Sequence, residues 1–437
     1  MVNKFEGFEL TDDMKSAYES IKSKQHTVIL GAAGSGKSTF ISYLIDNGLN
    51  LIKVAPTGVA AASIRGNTIH RFFGLPPRII EPSKALKLRY EKEELVYRAD
   101  AILIDEISMV RADLMDGISA VLSKTVMNDE PFGGIPIIMM GDLGQLPPIV
   151  RSGAESDFFN FNYKSEFFFD SNAFKSVEQD GAVNFINFSK VFRQTDEKFI
   201  GILNKIRFGK ITNSEIDSLN ESCYLNRKEN QIILCSRNDQ VEMVNNFNLM
   251  SNDNELEEYV ADITGNFNIK NSIGEYRLKI KVGTKVMILV NGSGYFNGSL
   301  GVYMGMEINQ DIGTQRMKIK LDDGGTIVLV EKYKFEEVVQ EYDRESNKIV
   351  EKAVNSMLQY PIKLAYALSI HKSQSLSFDN MSVDVGKYGS FSHGQTYVAL
   401  SRCRTLEGLN LVRKLKPKDI IFDRRIKEWM NQYNLIL

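Results

Sequence analysis

Residues 31–39 read GAAGSGKST, two glycine-led steps ending in Lys37-Ser38-Thr39. The string fits G-x-x-x-x-G-K-[ST], directly after the apolar run HTVIL and directly before a helical stretch, which is the context the pattern needs. Its chemistry is phosphate binding. Backbone N–H groups from Gly31, Ala32, Ala33, Gly34, Ser35 and Gly36 can curl around phosphate oxygens because the glycines put no Cβ in the way. The N-terminus of the next helix adds a favourable dipole. Lys37 should reach the β- and γ-phosphates, Ser38 should give an oxygen to Mg2+, and Thr39 completes the motif. With glycine at about 7% of residues, the string arises by accident in roughly two of a hundred chains of this length.

A second apolar run, ILID, ends in Asp105-Glu106. A carboxylate at a strand's C-terminal tip lies in the crevice where doubly wound sheets bind ligands. Asp105 can enter a Mg2+ shell, and Glu106 is placed to orient or deprotonate an attacking water. Taken alone, the pair is equally a polar strand end. GDLGQLPPIV (141–150) follows the run IPIIMM and locks Gln145 against two prolines. Gln145 could reach a γ-phosphate and pass its state on through the stiff LPP, or the loop is simply a surface turn held by prolines. Arg193 in VFRQ and Arg402 in YVALSRCRT suit the charge that develops in phosphoryl transfer, because a guanidinium stays protonated. A buried structural ion pair is the rival for each.

These residues need a scaffold. The β-branched runs at 26–30, 51–55, 100–105, 135–140 and 183–188 alternate with helical patterns at 12–23, 37–47 and 111–124, which predicts one parallel-sheet α/β domain over residues 1–190. A second set of runs, at 231–236, 284–290, 363–370, 381–385 and 409–412, predicts a second α/β domain in two parts, 191–294 and 361–437. Between them, residues 295–360 alternate and turn at glycines, as a small antiparallel barrel does.

Composition narrows the classes. The chain has 437 residues, 43% hydrophobic and 25% charged, with a net charge of −2, so bulk charge does not point to a nucleic acid. From residue 401 on, however, nine Lys/Arg face four acids, which is either a phosphate-facing surface or a solvated helix end. Cys223, Cys235 and Cys403 lack ligand spacing and read as reduced thiols. His26, His70, His371 and His393 lie too far apart for a metal motif. Trp429 reads as the packing anchor of a terminal helix. No run reaches the ~18 apolar residues of a membrane helix, and the N-terminus has no signal-peptide core, so a cytoplasmic protein without membrane contact is expected.

The ordered set GAAGSGKST, APTGVAA (55–61), GNTIHRFFGL (66–75), LIDEISM, GDLGQLPPI, VFRQ, LAYALSIHKSQSLSFD (364–379) and GQTYVALSRCRT (394–405) resembles the petite-integration-frequency (PIF) family of DNA helicases, RecD-like motors of superfamily one, of bacterial or phage type. It runs from residue 31 to 405, nearly the whole chain. The resemblance implies two RecA-like parallel-sheet P-loop domains with ATP and Mg2+ between them and single-stranded DNA across their top. It also implies 5′→3′ movement, a small wedge insertion at about 66–80 in the first domain and a Src-homology-like β-barrel in the second. Single-stranded DNA, ss/ds junctions and, as a further substrate, G-quadruplex DNA are the implied partners of a monomer that could pair on DNA. Carried over by motif, Lys37, Ser38, Thr39, Asp105, Glu106, Gln145, Arg193 and Arg402 contact nucleotide, metal or water. Thr57, Gly58, His70, His371, Lys372, Gln374 and His393 fall along the DNA path, with Phe72, Pro76 and Pro77 as wedge groups that stack on or split a base pair; core burial is the rival reading for Phe72.

Two positions depart from the family pattern. Met14 stands where a glutamine usually reads adenine, and a thioether cannot make that two-point amide contact. Ser375 stands where glycine is usual. Three other functions share parts of the pattern. A P-loop kinase would not need APTGVAA or IHKSQ, whereas an ATP-gated clamp or an RNA-preferring helicase would need the same pocket.

Overall fold

In the computed structural model, residues 9–435 are described except 195, 227–230, 270–271, 309–314, 323, 344, 347 and 375; Ser375 therefore lies outside the described residues. The chain forms two compact units. The first holds the chain up to Arg193 together with Val338–Lys352 and the segment from Asp423 on, and the second holds Gln194–Glu337 and Ala353–Phe422.

The first unit is built on six strands: β1 (His26–Gly31), β2 (Leu51–Ala55), β3 (Asn67–Thr68), β4 (Ala101–Ile104), β5 (Ile137–Gly141) and β6 (Val183–Phe188). They pair in the order β3-β2-β4-β5-β1-β6, all parallel. Every residue of β1, β2, β4 and β5 is buried, as continuous apolar strands covered on both faces must be. Helix α1 (Asp12–Lys22) starts where the Thr11 hydroxyl accepts from the Met14 N–H. Asp12 and Asp13 sit in its first turn and Lys22 in its last, matching the helix dipole. Helix α2 (Lys37–Asp46) follows the glycine loop.

One edge of this sheet is finished by a distant segment. β3 pairs with Val54 and Ala55, and among the described residues no strand pairs with the Leu51–Lys53 edge of β2 on that side. The Gln340 side-chain amide takes that place: its Nε2 donates to Leu51 O (3.1 Å) and its Oε1 accepts from Lys53 N–H (3.0 Å). A primary amide thus stands in for one peptide unit and blunts an edge that would otherwise attract another strand. Gln340 belongs to a long hairpin, Tyr333–Asp343 and Lys348–Gln359, whose distal part packs in the first unit. There the Lys53 ammonium meets Glu351 at 2.6 Å, and the two line a cavity of about 320 Å3 with Leu51, Arg65 and Ile349.

The C-terminal helix Arg424–Gln432 also lies in the first unit, where the sequence pattern had placed it in the second domain. The reason is aromatic. Trp429 stacks on Phe169 (4.7 Å, 10° between planes) and packs against Phe168, Phe174 and Phe185, while Arg425 forks onto both oxygens of Glu166. Trp429 is a packing anchor, and Arg425 is a structural cation.

The second unit has its own parallel sheet, in the order Ala367–Ser369, Ile232–Cys235, Met381–Asp384, Leu409–Leu411. The run at 284–290 is not part of it. Lys285–Ile288 instead pairs antiparallel with Leu300–Ile308 and Ile362–Leu364, in a five-stranded sheet completed by Gln315–Leu321 and Ile327–Val330. Antiparallel strands therefore reach from Glu257 to Leu364, beyond 295–360 on both sides. Arg277–Ile280 alternates exposed and buried, a period of two that is hard to notice over four residues.

Candidate active site

The pairing of β4, β5 and β1 as neighbours places the three loops that follow them along one sheet edge. The first is the glycine loop. Gly34 and Gly36 hold φ of +81° and +86°, a region that favours glycine, and Gly36 is the residue from which α2 starts. The Lys37 ammonium donates to Gly31 O (2.8 Å) and Ala32 O (3.0 Å) and lies 3.5 Å from Ser35 Oγ, so it rests within the loop that it would help to close on a phosphate. Ser38 and Thr39 are exposed at the first turn of α2.

The second loop carries the carboxylates. Asp105 is buried and donates its N–H to Val54 O (2.9 Å). Burial pushes its carboxyl above the usual carboxylate range, opposed by the Glu106 N–H and by the Lys37 ammonium, which couples the two sequence motifs electrostatically. Glu106 adopts φ +50°, ψ 46°, left-handed backbone that costs a side-chain-bearing residue about 1–2 kcal/mol. A Cβ on Gly141 would come within 3.0 Å of the Ile107 backbone N–H, so the second and third loops touch.

The third loop holds Gln145. Asp142 organises it: its Oδ1 accepts from Gly144 N–H (3.0 Å), its Oδ2 from the Gln145 amide (3.3 Å), and its carbonyl from Gln145 N–H (2.9 Å). Gln145 is buried, and the rigidity suggested by the following prolines begins with Asp142, a residue outside the candidate set.

Two further groups close around the glycine loop. A Cβ on Gly34 would collide with Arg193, and Phe192 N–H donates to Gly34 O (2.8 Å). Arg193 therefore belongs to the first unit, beside the phosphate loop, rather than to the second domain. A Cβ on Gly36 would come within 2.9 Å of the Met14 Cε and 3.3 Å of the Phe192 ring. Met14 is fully buried against the loop, while Phe192, 46% exposed, carries the Lys190 ammonium over its ring, 5.1 Å from the centroid. Phe192 was missed; its signal was an aromatic directly before Arg193.

In the second unit, Arg402 is buried at the end of helix Gln395–Leu400, with Nε donating to Val398 O (3.0 Å) and Nη2 to Ser401 Oγ (2.9 Å). Gln194 braces the same turn by donating to Ser401 O and Cys403 O. Cys223, Cys235 and Cys403 are buried free thiols, and burial pushes Cys223 and Cys235 up to about 12.

The candidate DNA residues divide. Thr57 caps helix Gly58–Ser63 by accepting from Ala60 N–H, so both Thr57 and Gly58 lie beyond the tip of β2. His371 is half-buried and Lys372 exposed in a turn after strand Ala367–Ser369, with Gln374 half-buried just beyond. Burial lowers the His371 pKa from its ordinary value. Pro76 is half-buried and Pro77 exposed. Two residues need correction. Phe72 is 2% exposed, edge-on to Phe73, with the Lys92 ammonium over its face and donating to its carbonyl, so it cannot stack on a base. His393 is buried with its ring against Phe422, which makes it a packing group. His70 is half-buried with Nδ1 3.3 Å from Leu75 O, and burial lowers its pKa. Among the described residues no His/Cys/Asp/Glu cluster could hold a metal on its own, and no helix is long and apolar enough to cross a membrane.

Comparison with known proteins agrees with this geometry. The family described as PIF1-like helicase matches residues 9–217. The ATP-dependent DNA helicase PIF1 of Homo sapiens is 28% identical over 433 residues, covering 96% of this chain and 63% of that protein, so the chain spans less than two thirds of that relative's length. Pif1 from Bacteroides sp in complex with ADP-AlF4 is 35% identical, with a TM-score of 0.87 over 98% of this chain and 97% of that one. The Bacteroides Pif1 bound to ssDNA matches over the same shares with a TM-score of 0.69.

Proposed function

Because this chain belongs to the PIF1-like helicase family, we propose that it is an ATP-dependent DNA helicase that moves 5′→3′ on single-stranded DNA and unwinds duplex from a single-stranded tail. The observation that carries this is the parallel pairing β4-β5-β1, which lines up the phosphate loop, the carboxylate pair and Gln145 on one RecA-like sheet edge. The likeness to Bacteroides Pif1 over 97% of that chain supports reading the second unit as a second core.

The geometry supports the following roles. The loop's N–H groups take the ATP phosphates, and Lys37 exchanges the carbonyls of Gly31 and Ala32 for β- and γ-phosphate oxygens. Phe192 borders the loop on the side where the base would pack, while Met14, lacking an amide, leaves adenine selectivity relaxed. Ser38 and Asp105 are hard oxygen donors that fit Mg2+, and a carboxylate already pushed up by burial is one that a divalent cation relieves. When bound, that ion offsets the charge of the phosphates. Glu106 takes the proton of the attacking water, Gln145 orients that water from its Asp142 brace, and Arg193 meets the charge on the transferred group.

Domain by domain, the antiparallel sheet is the Src-homology-like barrel, and the segment 66–80 belongs to the wedge. Lys372, His371, Gln374, Thr57 and Gly58 follow the DNA, gripping mostly phosphate so that a nucleotide cycle becomes a step. Single-stranded DNA and forked junctions are the substrates, G-quadruplex DNA is a further one, and the working form is a cytoplasmic monomer.

The deciding experiment is strand release from a labelled fork. Release with ATP from a 5′-tailed duplex, absent from a 3′-tailed one and absent with Lys37→Ala, is expected. No release from the 5′-tailed fork, or equal release by Lys37→Ala, defeats the proposal.

A further inference from the structure

The turn between residues 385 and 394 of the second unit follows strand Met381–Asp384, at the C-terminal edge of that unit's parallel sheet. Ser236-Arg237 leaves the neighbouring strand at the same edge, since Asp384 pairs with Cys235, and the His371-Lys372 turn leaves the strand beyond, since Ser369 also pairs with Cys235. Ligands of open α/β sheets bind outside these strand ends.

This turn is held unusually firmly for a surface segment. Arg413 Nε donates to Gly386 O (2.7 Å), Gly386 N–H donates to Asp384 Oδ1 (2.8 Å), and Ser390 Oγ bonds Thr396 Oγ1 (2.7 Å). Phe391 N–H donates to Gln395 Oε1 (3.1 Å), whose amide in turn donates to Ser236 O (3.2 Å). Gly389, at φ +89°, lies so close to Asp419 that a Cβ would collide with its carboxylate. Val385, Gly389, Ser390, His393 and Gly394 are buried, yet Tyr388 is 74% and Phe391 54% exposed. A network of that kind displays two rings to solvent in a fixed position, a display that no packing requirement explains.

The charge around the rings points to one kind of partner. The Arg237 guanidinium lies 5.3 Å from the Phe391 ring centroid and the Lys387 ammonium 5.9 Å from that of Tyr388. The turn itself contains no acid, and Lys372 is exposed on the same edge. Exposed rings that each carry a cation over one face suit a chain of flat bases on a polyanionic backbone: the other face takes a base and the cations take phosphates.

We propose that Tyr388 and Phe391 form a base-stacking platform for single-stranded DNA, with Arg237, Lys387 and Lys372 receiving the backbone. This rests on the helicase reading above and assigns it two binding residues outside its sequence motifs, replacing the buried Phe72 and His393. Since bases stack on rings regardless of identity, the platform grips without choosing sequence.

The test is fluorescence anisotropy at several salt concentrations, with labelled oligothymidine and an abasic oligonucleotide of the same length. Tyr388→Ala and Phe391→Ala should each weaken oligothymidine binding by roughly 5- to 150-fold. Neither should change the slope of log affinity against log salt, neither should matter on the abasic strand, and Tyr388→Phe should bind as wild type. Lys372→Ala should do the opposite, lowering the salt slope by about one phosphate's worth on both strands. Wild-type affinity in both alanine variants, as expected if the rings dock a protein instead, overturns the platform, as does an equal loss on the abasic strand. If wild type itself binds neither strand, the helicase reading fails first.

Discussion

The Lys53–Glu351 pair permits a quantitative prediction. Lys53 has a 7% exposed side chain and Glu351 a 21% exposed one, and the same carboxylate also meets Arg65, which is 69% exposed. Glu351→Ala removes the partner of a buried ammonium. Breaking a buried pair from one side costs about 3–5 kcal/mol, and the exposed Arg65 contact adds only ~0–1 kcal/mol. Since a fifth of Glu351 reaches solvent, we take about 2–4 kcal/mol for release of the hairpin end from β2. The local reporter is the Lys53 amide, whose hydrogen bond goes to Gln340 on the same hairpin. Hydrogen exchange at residues 51–53 should then quicken by roughly 30- to 900-fold while β1 and β5 keep their protection. The paired variant Lys53→Met with Glu351→Leu should restore most of that protection, because apolar replacement of both partners is often neutral. Unchanged exchange in Glu351→Ala, or a paired variant as fast as the single one, refutes the reasoning.

Other outcomes follow from the same geometry. Gln145→Ala should bind ATP normally but lose DNA-stimulated hydrolysis by about 100-fold, read by ATP turnover with and without single-stranded DNA; an unchanged stimulated rate counts against its role. His26 accepts from Ile137 N–H through Nδ1, and burial lowers its pKa to about 4. The folded chain keeps that ring neutral where the unfolded chain takes a proton. Its stability contribution is therefore whole above the ordinary value of about 6.5 and shrinks as pH falls from there toward 4. Thermal melts across that window should drop more steeply for wild type than for His26→Gln.

The sequence was most legible where chemistry and periodicity coincide. The glycine loop lies between a strand and a helix whose apolar patterns are unambiguous, and the runs at 26–30 and 51–55 became β1 and β2. Asp105 and Gln145 followed because their strands are continuous apolar runs, although their adjacency came from strand order, which no local pattern encodes. Phe72 was misjudged for a related reason. Two adjacent phenylalanines before Gly-Leu-Pro-Pro suit a wedge or a core equally, and only the burial of Phe72 against Phe73 and beneath Lys92 decides. The return of Gln340 to β2 joins residues 289 apart in sequence through a side-chain amide, an interaction without sequence periodicity. Arg193 and Gln194 are neighbours in VFRQ, yet one braces the phosphate loop and the other the Arg402 turn, a division that spacing cannot reveal.

The backbone of Glu106 sets catalysis and durability against each other. Its left-handed conformation suits glycine better than glutamate, so Glu106→Gly should relieve about 1–2 kcal/mol of backbone strain, partly offset by glycine's greater chain entropy, while deleting the proposed proton acceptor. A search for heat-resistant variants of this chain would thus favour a variant that, on the proposed reading, no longer turns over ATP. Directed evolution here must be scored by turnover, because melting temperature rewards loss of the carboxylate proposed above as the proton acceptor.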